Sequence, residues 1–273
     1  MILGIDIGGT TINLGLVEDG RIIKKISVPS FDKDADKRDT LLYLYSRIIG
    51  IINPEVCRIG VGVPTLVDSK RGIVYNAANI PSWDVVPLKE ELEQRFHLPA
   101  AINNDANCFV LGAASKLGKK PSMVVGITLG TGTGVGILVD GKLLVGANCG
   151  AGELGSLPYE GDVFESFCSK KFFLDNGWTP LDAFNAAEAG DADAIGLYRS
   201  FGIHLGNFLT AVLYAYDPDC VVIGGGISHA SKYFYDSMLL SLKETYMYPA
   251  LLKKLEIQVM SDADISLLGA ALL

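Results

Sequence analysis

The sequence predicts an α/β protein of two lobes built on a duplicated plan, and three observations carry that prediction. Two glycine-rich hairpins recur: residues 2–21 read ILGIDIGGTTINLGLVEDGR and residues 124–142 read VVGITLGTGTGVGILVDGK. Overlaid, Gly8 meets Gly130; after a one-residue slip, Gly15 meets Gly136 and Asp19-Gly20-Arg21 meets Asp140-Gly141-Lys142. Each copy is an apolar strand, a Gly/Thr turn, a second apolar strand and a tight Asp-Gly turn. Second, strand-like runs alternate with helical spacing in both halves of the chain. Third, 273 residues exceed the usual size of a single core, so two lobes are expected.

Composition narrows the function classes. Hydrophobic residues make up 49% and charged residues 20%, an ordinary globular balance. The net charge of −8 disfavours a nucleic-acid partner, which would need a basic face. No apolar run reaches membrane-spanning length and no signal peptide is visible, so no membrane partner and a cytoplasmic location are expected. The five cysteines (Cys57, Cys108, Cys149, Cys168, Cys220) are scattered without C-x-x-C spacing. They read as small buried apolar residues in a reducing compartment, neither disulfides nor zinc ligands.

In chain order, residues 2–7 and 12–17 form the first hairpin, with a third strand at 22–28. Residues 36–52 have helical spacing (Leu41, Leu44, Ile48), stopped by Asn53-Pro54. Residues 58–63 are a buried strand running into Pro64, 73–80 extended, 88–96 helical and 100–103 a short strand. After Asn103–Asn107 a helix is expected over 108–116, and Gly118-Lys119-Lys120-Pro121 is the expected crossing between lobes. The second hairpin covers 124–145, followed by a glycine-rich loop at 146–155. Helices are expected at 164–174, 180–188 and 192–215, and a strand at 217–223 ends in Gly224-Gly225-Gly226. A helix from about residue 232, a strand at 257–259 and a terminal helix at 265–273 complete the chain. The expected lobes are residues 1–117 with 262–273, and residues 118–261.

The glycine turns carry the chemistry. Glycines let backbone N–H groups approach an anion closely, and threonines add hydroxyl donors. Asp6-Ile7-Gly8-Gly9-Thr10-Thr11 directly follows an apolar strand. Asp6 could merely cap the turn, but a carboxylate in an apolar strand is costly without a compensating partner. Beside a phosphate loop, that partner is Mg²⁺ or its waters. Gly130-Thr131-Gly132-Thr133-Gly134 is weak alone; with its mate it becomes a second phosphate loop. Gly224–Gly226 is either a plain strand-to-helix turn or an adenosine site, since ligands of open α/β sheets bind at the carboxyl ends of strands. Asn104-Asp105 reads both as a helix N-cap and as a catalytic pair. Glu153, among Gly150, Gly152 and Gly155, reads both as a site residue and as a solvated loop. His97, His204 and His229 lack metal-ligand spacing and read as structural or surface residues.

The ordered motifs DIGGT, GVP, NNDAN, GTGTGVG, GELGS and VVIGGGIS run the length of the chain. Together they resemble the ROK (repressor, ORF, kinase) family of sugar kinases, within the actin-like ATPase and hexokinase superfamily. The resemblance implies a ribonuclease H-like, internally duplicated two-lobed fold with a central cleft. It implies Asp6, Gly8, Gly9, Thr10, Thr11 and Gly130–Gly134 as phosphate loops with Mg²⁺ at Asp6, and Gly224–Gly226 at adenosine. Asp105 is then the catalytic base, with Pro64, Thr65, Asn79, Asn104, Glu153, Ser156 and Glu165 on the sugar. Partners are ATP and a sugar, and the family leaves room for a homodimer.

Two departures from the family pattern stand out. Ser156 replaces a histidine that in the family is followed by a Cys-rich zinc loop; here residues 157–163 hold no cysteine, which implies a branch without structural zinc. The usual lysine of DIGGTK is Thr11. The chemistry implied is phosphoryl transfer from ATP to a sugar hydroxyl, glucose at its 6-hydroxyl by default. N-acetylmannosamine, N-acetylglucosamine, mannose, fructose and allose are alternatives. A sugar-sensing transcriptional regulator and an actin-like ATPase or chaperone are the rivals from other classes. The regulator would need a DNA-binding segment and a basic face, neither of which is seen.

Overall fold

The computed structural model describes residues 1–77 and 79–273. The chain divides into two compact units. Met1–Lys119, Leu143–Ala151 and Asp264–Leu273 form the first, and Lys120–Lys142 with Gly152–Ala263 the second.

The first unit opens with β1 (Ile2–Ile7), β2 (Thr11–Glu18) and β3 (Arg21–Pro29), followed by α1 (Lys37–Ile49) and β4 (Arg58–Val63). Three short strands, β5 (Val67–Asp68), β6 (Ile73–Tyr75) and β7 (Val85–Val86), pair among themselves. Then come α2 (Leu88–Phe96), β8 (Ala100–Asn104) and α3 (Asp105–Lys116). The main sheet runs β3-β2-β1-β4-β8; the first three strands are antiparallel, whereas β1, β4 and β8 are parallel.

The second unit repeats this plan. It contains β9 (Met123–Leu129), β10 (Thr133–Val139) and the edge strand β11 (Lys142–Leu143), then a small hairpin of β12 (Pro158–Tyr159) and β13 (Asp162–Val163). Helices α4 (Phe164–Cys168), α5 (Lys170–Asp175), α6 (Pro180–Glu188) and α7 (Ala192–Tyr216) follow, then β14 (Cys220–Gly224), α8 (Ser231–Thr245) and β15 (Glu256–Val259). Its sheet runs β11-β10-β9-β14-β15, with β9, β14 and β15 parallel. In both sheets, then, the first strand stands between its antiparallel hairpin partner and two parallel strands. The α/β class and the duplication expected from the hairpins are therefore present.

The buried strands explain why these runs hold. In β1, Leu3, Ile5 and Ile7 are inaccessible to solvent, as are Val125, Ile127 and Leu129 in β9. The last helix, α9 (Ile265–Ala271), belongs to the first unit, packing on α3 and β1. Glycines make that packing close: a Cβ at Gly60, Gly112 or Gly269 would collide with backbone carbonyls of the facing segment.

Several elements differ from the sequence expectation, each for a local reason. Helix α1 is shorter than 36–52, because the Asp36 carboxylate accepts from Asp39 N–H at one end and Gly50 caps the other. Helix α3 begins at Asp105 rather than residue 108, because the Asn104 side chain accepts from Ala106 N–H. The helix expected over 164–174 breaks at Ser169, whose extended backbone ends α4 while its hydroxyl caps α5. Of the stretch expected to be extended at 73–80, only Ile73–Tyr75 is strand; Asn76 turns at φ 46°, and residue 78 lies outside the described residues. The strand expected at 217–223 is Cys220–Gly224, because Asp217 is the left-handed cap that ends α7. Cys108, Cys168 and Cys220 are buried, but Cys57 is exposed and Cys149 half-buried, so only three of the five fit the buried-apolar reading. Among the described residues no helix is long and apolar enough to cross a membrane.

Candidate active site

In the first unit the motif residues gather at the carboxyl ends of the parallel strands. Asp6 pairs in register with Gly62 of β4, and Gly62 with Asn103 of β8. Asp105 follows at once as the first residue of α3. An added Cβ on Gly62 would press on the Cys108 sulfur at 3.1 Å and touch the Asp105 Cα at 3.7 Å, so β4 packs closely on the start of α3 there. Burial, followed by the charges of Asp6 and Asp105, pushes the Cys108 thiol well up, which puts both carboxylates in its neighbourhood.

Asp6 itself is costly in this position. Burial pushes its carboxyl up to about 6, against a weaker opposing hydrogen bond from the Asn13 amide at 3.4 Å. A hard oxygen donor that is desolvated and only weakly compensated suits Mg²⁺ or its water shell. The adjoining loop is pinned by its own backbone, Gly8 N–H donating to Thr11 C=O at 2.9 Å. Ser30 pins it from outside: its hydroxyl donates to Gly8 C=O at 2.8 Å, and its N–H to Thr10 C=O at 2.9 Å. Gly9 and Thr10 are left exposed between these braces, while Thr11 begins β2. The side chain of Asn79 lies against Gly9, where an added Cβ would meet its Cγ at 3.3 Å.

Thr65 and Asn104 form a second brace. The Thr65 hydroxyl donates to Tyr75 C=O at 2.6 Å, and the Asn104 amide donates to Thr65 C=O at 3.1 Å. Pro64, just past β4, is half-buried. Asn104 also caps α3, and Asp105 Oδ1 shares the same Ala106 N–H at 2.8 Å. The N-cap reading of Asn104 is thus present in the geometry beside whatever else it does.

In the second unit, Gly130–Gly134 joins β9 to β10 and is fastened to the α4–α5 break. Lys170 N–H donates to Gly130 C=O at 2.8 Å, and the Thr133 hydroxyl to Cys168 C=O at 2.9 Å. Thr133 N–H donates to Glu165 Oε2 at 2.8 Å. A Cβ on Gly132 would stand 2.5 Å from that same oxygen, so a side chain there would push the Glu165 carboxylate off its bond to Thr133. Thr131 at the loop tip is exposed. The Glu153–Ser156 turn packs on the same loop, Gly155 approaching Thr133 C=O and the Glu165 Cβ. Gly152, at φ 98°, lies against Val135 C=O, a conformation and a spacing that exclude a side chain. Burial and the facing charge of Glu165 raise the Glu153 carboxyl above its ordinary range. At Gly224–Gly226, Gly225 has φ 87° and its Cα side abuts the backbone of Leu129, immediately before the second loop.

The residues singled out in the sequence therefore fall into two sets. Asp6, Gly8–Thr11, Pro64, Thr65, Asn79, Asn104 and Asp105 belong to the first unit, and Gly130–Gly134, Glu153, Ser156, Glu165 and Gly224–Gly226 to the second. Ser30, Asn103 and Ser169 also support the site and were not anticipated. Asn103 Oδ1 accepts from Asn104 N–H at 2.9 Å and from the Asn107 amide at 3.0 Å. A polar residue closing an apolar strand, as Ser30 follows Val28-Pro29, was the available signal for the first. Among the described residues no group of three His, Cys, Asp or Glu side chains is arranged to hold a metal ion.

Comparison with known proteins decides the family, because the model of the ROK family matches residues 2–273. The chain belongs to the ROK family. A glucokinase from Thermotoga maritima is 30% identical over 99% of this chain and 96% of its own length. An N-acetyl-D-glucosamine kinase from Escherichia coli O127:H6 is 31% identical over 84% of this chain and 85% of its own. A ROK family glucokinase from Streptomyces griseus, solved in complex with glucose and AMPPNP, superposes with a TM-score of 0.86 at 26% identity, covering 99% of this chain and 97% of that one. The ROK fold is the actin-like ATPase fold that the motifs implied, and these ROK relatives place the chain among sugar phosphotransferases.

Proposed function

We propose that this chain is an ATP-dependent hexose kinase, transferring the γ-phosphoryl group of ATP to a sugar hydroxyl, with the 6-hydroxyl of glucose as its acceptor. One observation carries this reading most directly: Asp105 heads α3 at the carboxyl end of β8, in the neighbourhood of a desolvated Asp6. A sugar hydroxyl has a very high pKa, so its proton leaves late, as the bond to phosphorus forms. Asp105 accepts that proton. The backbone N–H groups of Gly9, Thr10, Thr131 and Gly132 donate to the phosphate oxygens and stabilise the charge that develops on the transferring group, while those of Gly8 and Gly130 close their own turns. Asp6 is the residue that would hold Mg²⁺ or its waters, whose charge offsets that of the phosphates. Gly224–Gly226 leaves room for the adenosine. Asn79, Pro64, Thr65 and Asn104 in one unit, with Glu153, Ser156 and Glu165 in the other, orient the sugar. ATP is an intracellular substrate, so the cytoplasm is the place of work.

The glucokinase relatives support glucose, and the N-acetyl-D-glucosamine kinase relative supports an amino sugar as the second reading. Ser156 and Glu165 are the positions at which the two would be told apart. A coupled assay over glucose, mannose, fructose, allose, N-acetylglucosamine and N-acetylmannosamine tests both. Glucose is expected to give the highest kcat/KM. A preference for an N-acetyl sugar would replace the acceptor, and binding of sugar without transfer would favour a sensor.

A further inference from the structure

The β12–β13 hairpin separates Ser156 from Glu165 and consists of two residue pairs, Pro158 with Val163 and Tyr159 with Asp162. Its turn residues, Glu160 and Gly161, both have positive φ (49° and 80°). Two pairs of this kind do not hold a hairpin in place by themselves. Something else must fix the path between two positions expected to face the sugar.

That anchor is an aromatic cluster on α7. The Tyr159 ring stacks on Phe164 with centroids 4.3 Å apart and meets Phe167 edge-on at 5.2 Å. His204, in the middle of α7, lies 4.9 Å from the Phe167 ring and 5.5 Å from Phe172. Phe164 leans in turn on Phe208, one helical turn further along α7, at 5.2 Å. Across this apolar contact runs a polar bond, between the Tyr159 hydroxyl and His204 Nδ1 at 3.1 Å. Rings can slide over one another at small cost, whereas a hydrogen bond among them selects one register.

We infer that the Tyr159–His204 hydrogen bond is a positioning clasp: it fixes the β12–β13 hairpin on α7 and so sets the sugar-facing placement of Ser156, while Glu165 is held separately by Thr133 N–H. This deepens the sugar-kinase reading and rests on it. The protonation states agree with the bond. Burial lowers the His204 imidazole below its ordinary range, against a smaller opposing effect of Glu160, which favours the neutral ring; with the ring proton on Nε2, Nδ1 accepts from the Tyr159 hydroxyl. The Tyr159 hydroxyl, pushed up to about 12 chiefly by burial, keeps its proton to donate. Neither side chain is expected to touch the reacting atoms, so both are positioning residues.

The test is steady-state kinetics on Tyr159→Phe, His204→Phe and His204→Gln in the full chain. The first two keep ring packing and remove the bond; the third restores an acceptor. Tyr159→Phe and His204→Phe are expected to raise the hexose KM about five- to tenfold, the scale of one lost hydrogen bond, with the KM for ATP within twofold of wild type. His204→Gln is expected to recover most of the hexose affinity. A hexose KM within twofold of wild type in both ring-preserving variants would overturn the clasp. So would a parallel rise in both KM values, which marks a general loss of packing, or a His204→Gln variant as impaired as His204→Phe. The wild type is assayed beside them: if it phosphorylates no hexose, the kinase reading fails and the inference with it, whereas an active wild type with unmoved variants removes the inference alone.

Discussion

Asp6 shows how a single side chain ties stability to function. It stands between Ile5 and Ile7, both fully buried, and its carboxyl is held up at about 6 rather than 3.8 by burial. A carboxyl whose folded pKa lies above its unfolded value favours the fold while protonated, and that contribution is lost as pH rises from about 4 through about 6. The ligand-free protein therefore carries the full cost of a buried charge at pH 7.5. Asp6→Asn is expected to raise the melting temperature at pH 7.5 by roughly 5 °C and to change it little at pH 4. Mg²⁺ with ATP should stabilise the wild type far more than the variant. Thermal melts at the two pH values check this; equal melting of both proteins at pH 7.5 would show that Asp6 is already compensated.

The Gly130–Gly134 turn acquires its shape from elements distant in sequence. Glu165 Oε2, Cys168 C=O and Lys170 N–H all bind residues of the Gly130–Gly134 turn, so the loop is tied to both α4 and α5. Glu165 thus belongs to the loop's frame as well as to the proposed sugar set. Gly132→Ala would drive its Cβ to 2.5 Å from the Glu165 carboxylate and displace one of the two. A fall of at least tenfold in kcat/KM for the hexose is expected, with the fold retained. Kinetics near wild type would mean that the loop tolerates a shift without consequence.

The same contacts explain what the sequence could and could not reveal. The paired glycine hairpins and the helices α1, α2, α6 and α7 were legible because their apolar periodicity is local. The end of α4 at Ser169 was not, since the hydrogen bonds of Cys168 C=O with Thr133 and of Lys170 N–H with Gly130 decide it. The β12–β13 hairpin was invisible because two-residue strands have no period to read. The motifs name the candidate site residues, and the fold brings two of them, Asp6 and Asp105, to the carboxyl ends of parallel strands in one sheet. The N-cap at Asn104 was readable from its residue type, whereas the reach of Ser30 to Gly8 and the contacts of His204 with Tyr159 and Phe167 are set by segments distant in sequence.

Over the whole molecule, a sheet plan used twice supplies two glycine turns, each at the end of an antiparallel hairpin and beside parallel strands. That repetition suits a ligand with several phosphates. The Cys168 side chain is packed in the core of the second unit and burial pushes its thiol far up, whereas zinc binds the thiolate. Protein purified without chelator is therefore expected to contain far less than one zinc per chain by elemental analysis; stoichiometric zinc would contradict that. The central claim is that Asp105 removes the proton from a sugar hydroxyl while the two loops hold the phosphates. Its most direct measurement is transfer of labelled γ-phosphate from ATP to hexose by wild type and Asp105→Asn side by side, with nucleotide binding measured on both. The account predicts sugar phosphate from the wild type, turnover lower by roughly two to four orders of magnitude in the variant, and unchanged nucleotide affinity. A variant that phosphorylates hexose at near the wild-type rate would leave Asp105 as a helix cap and contradict the account.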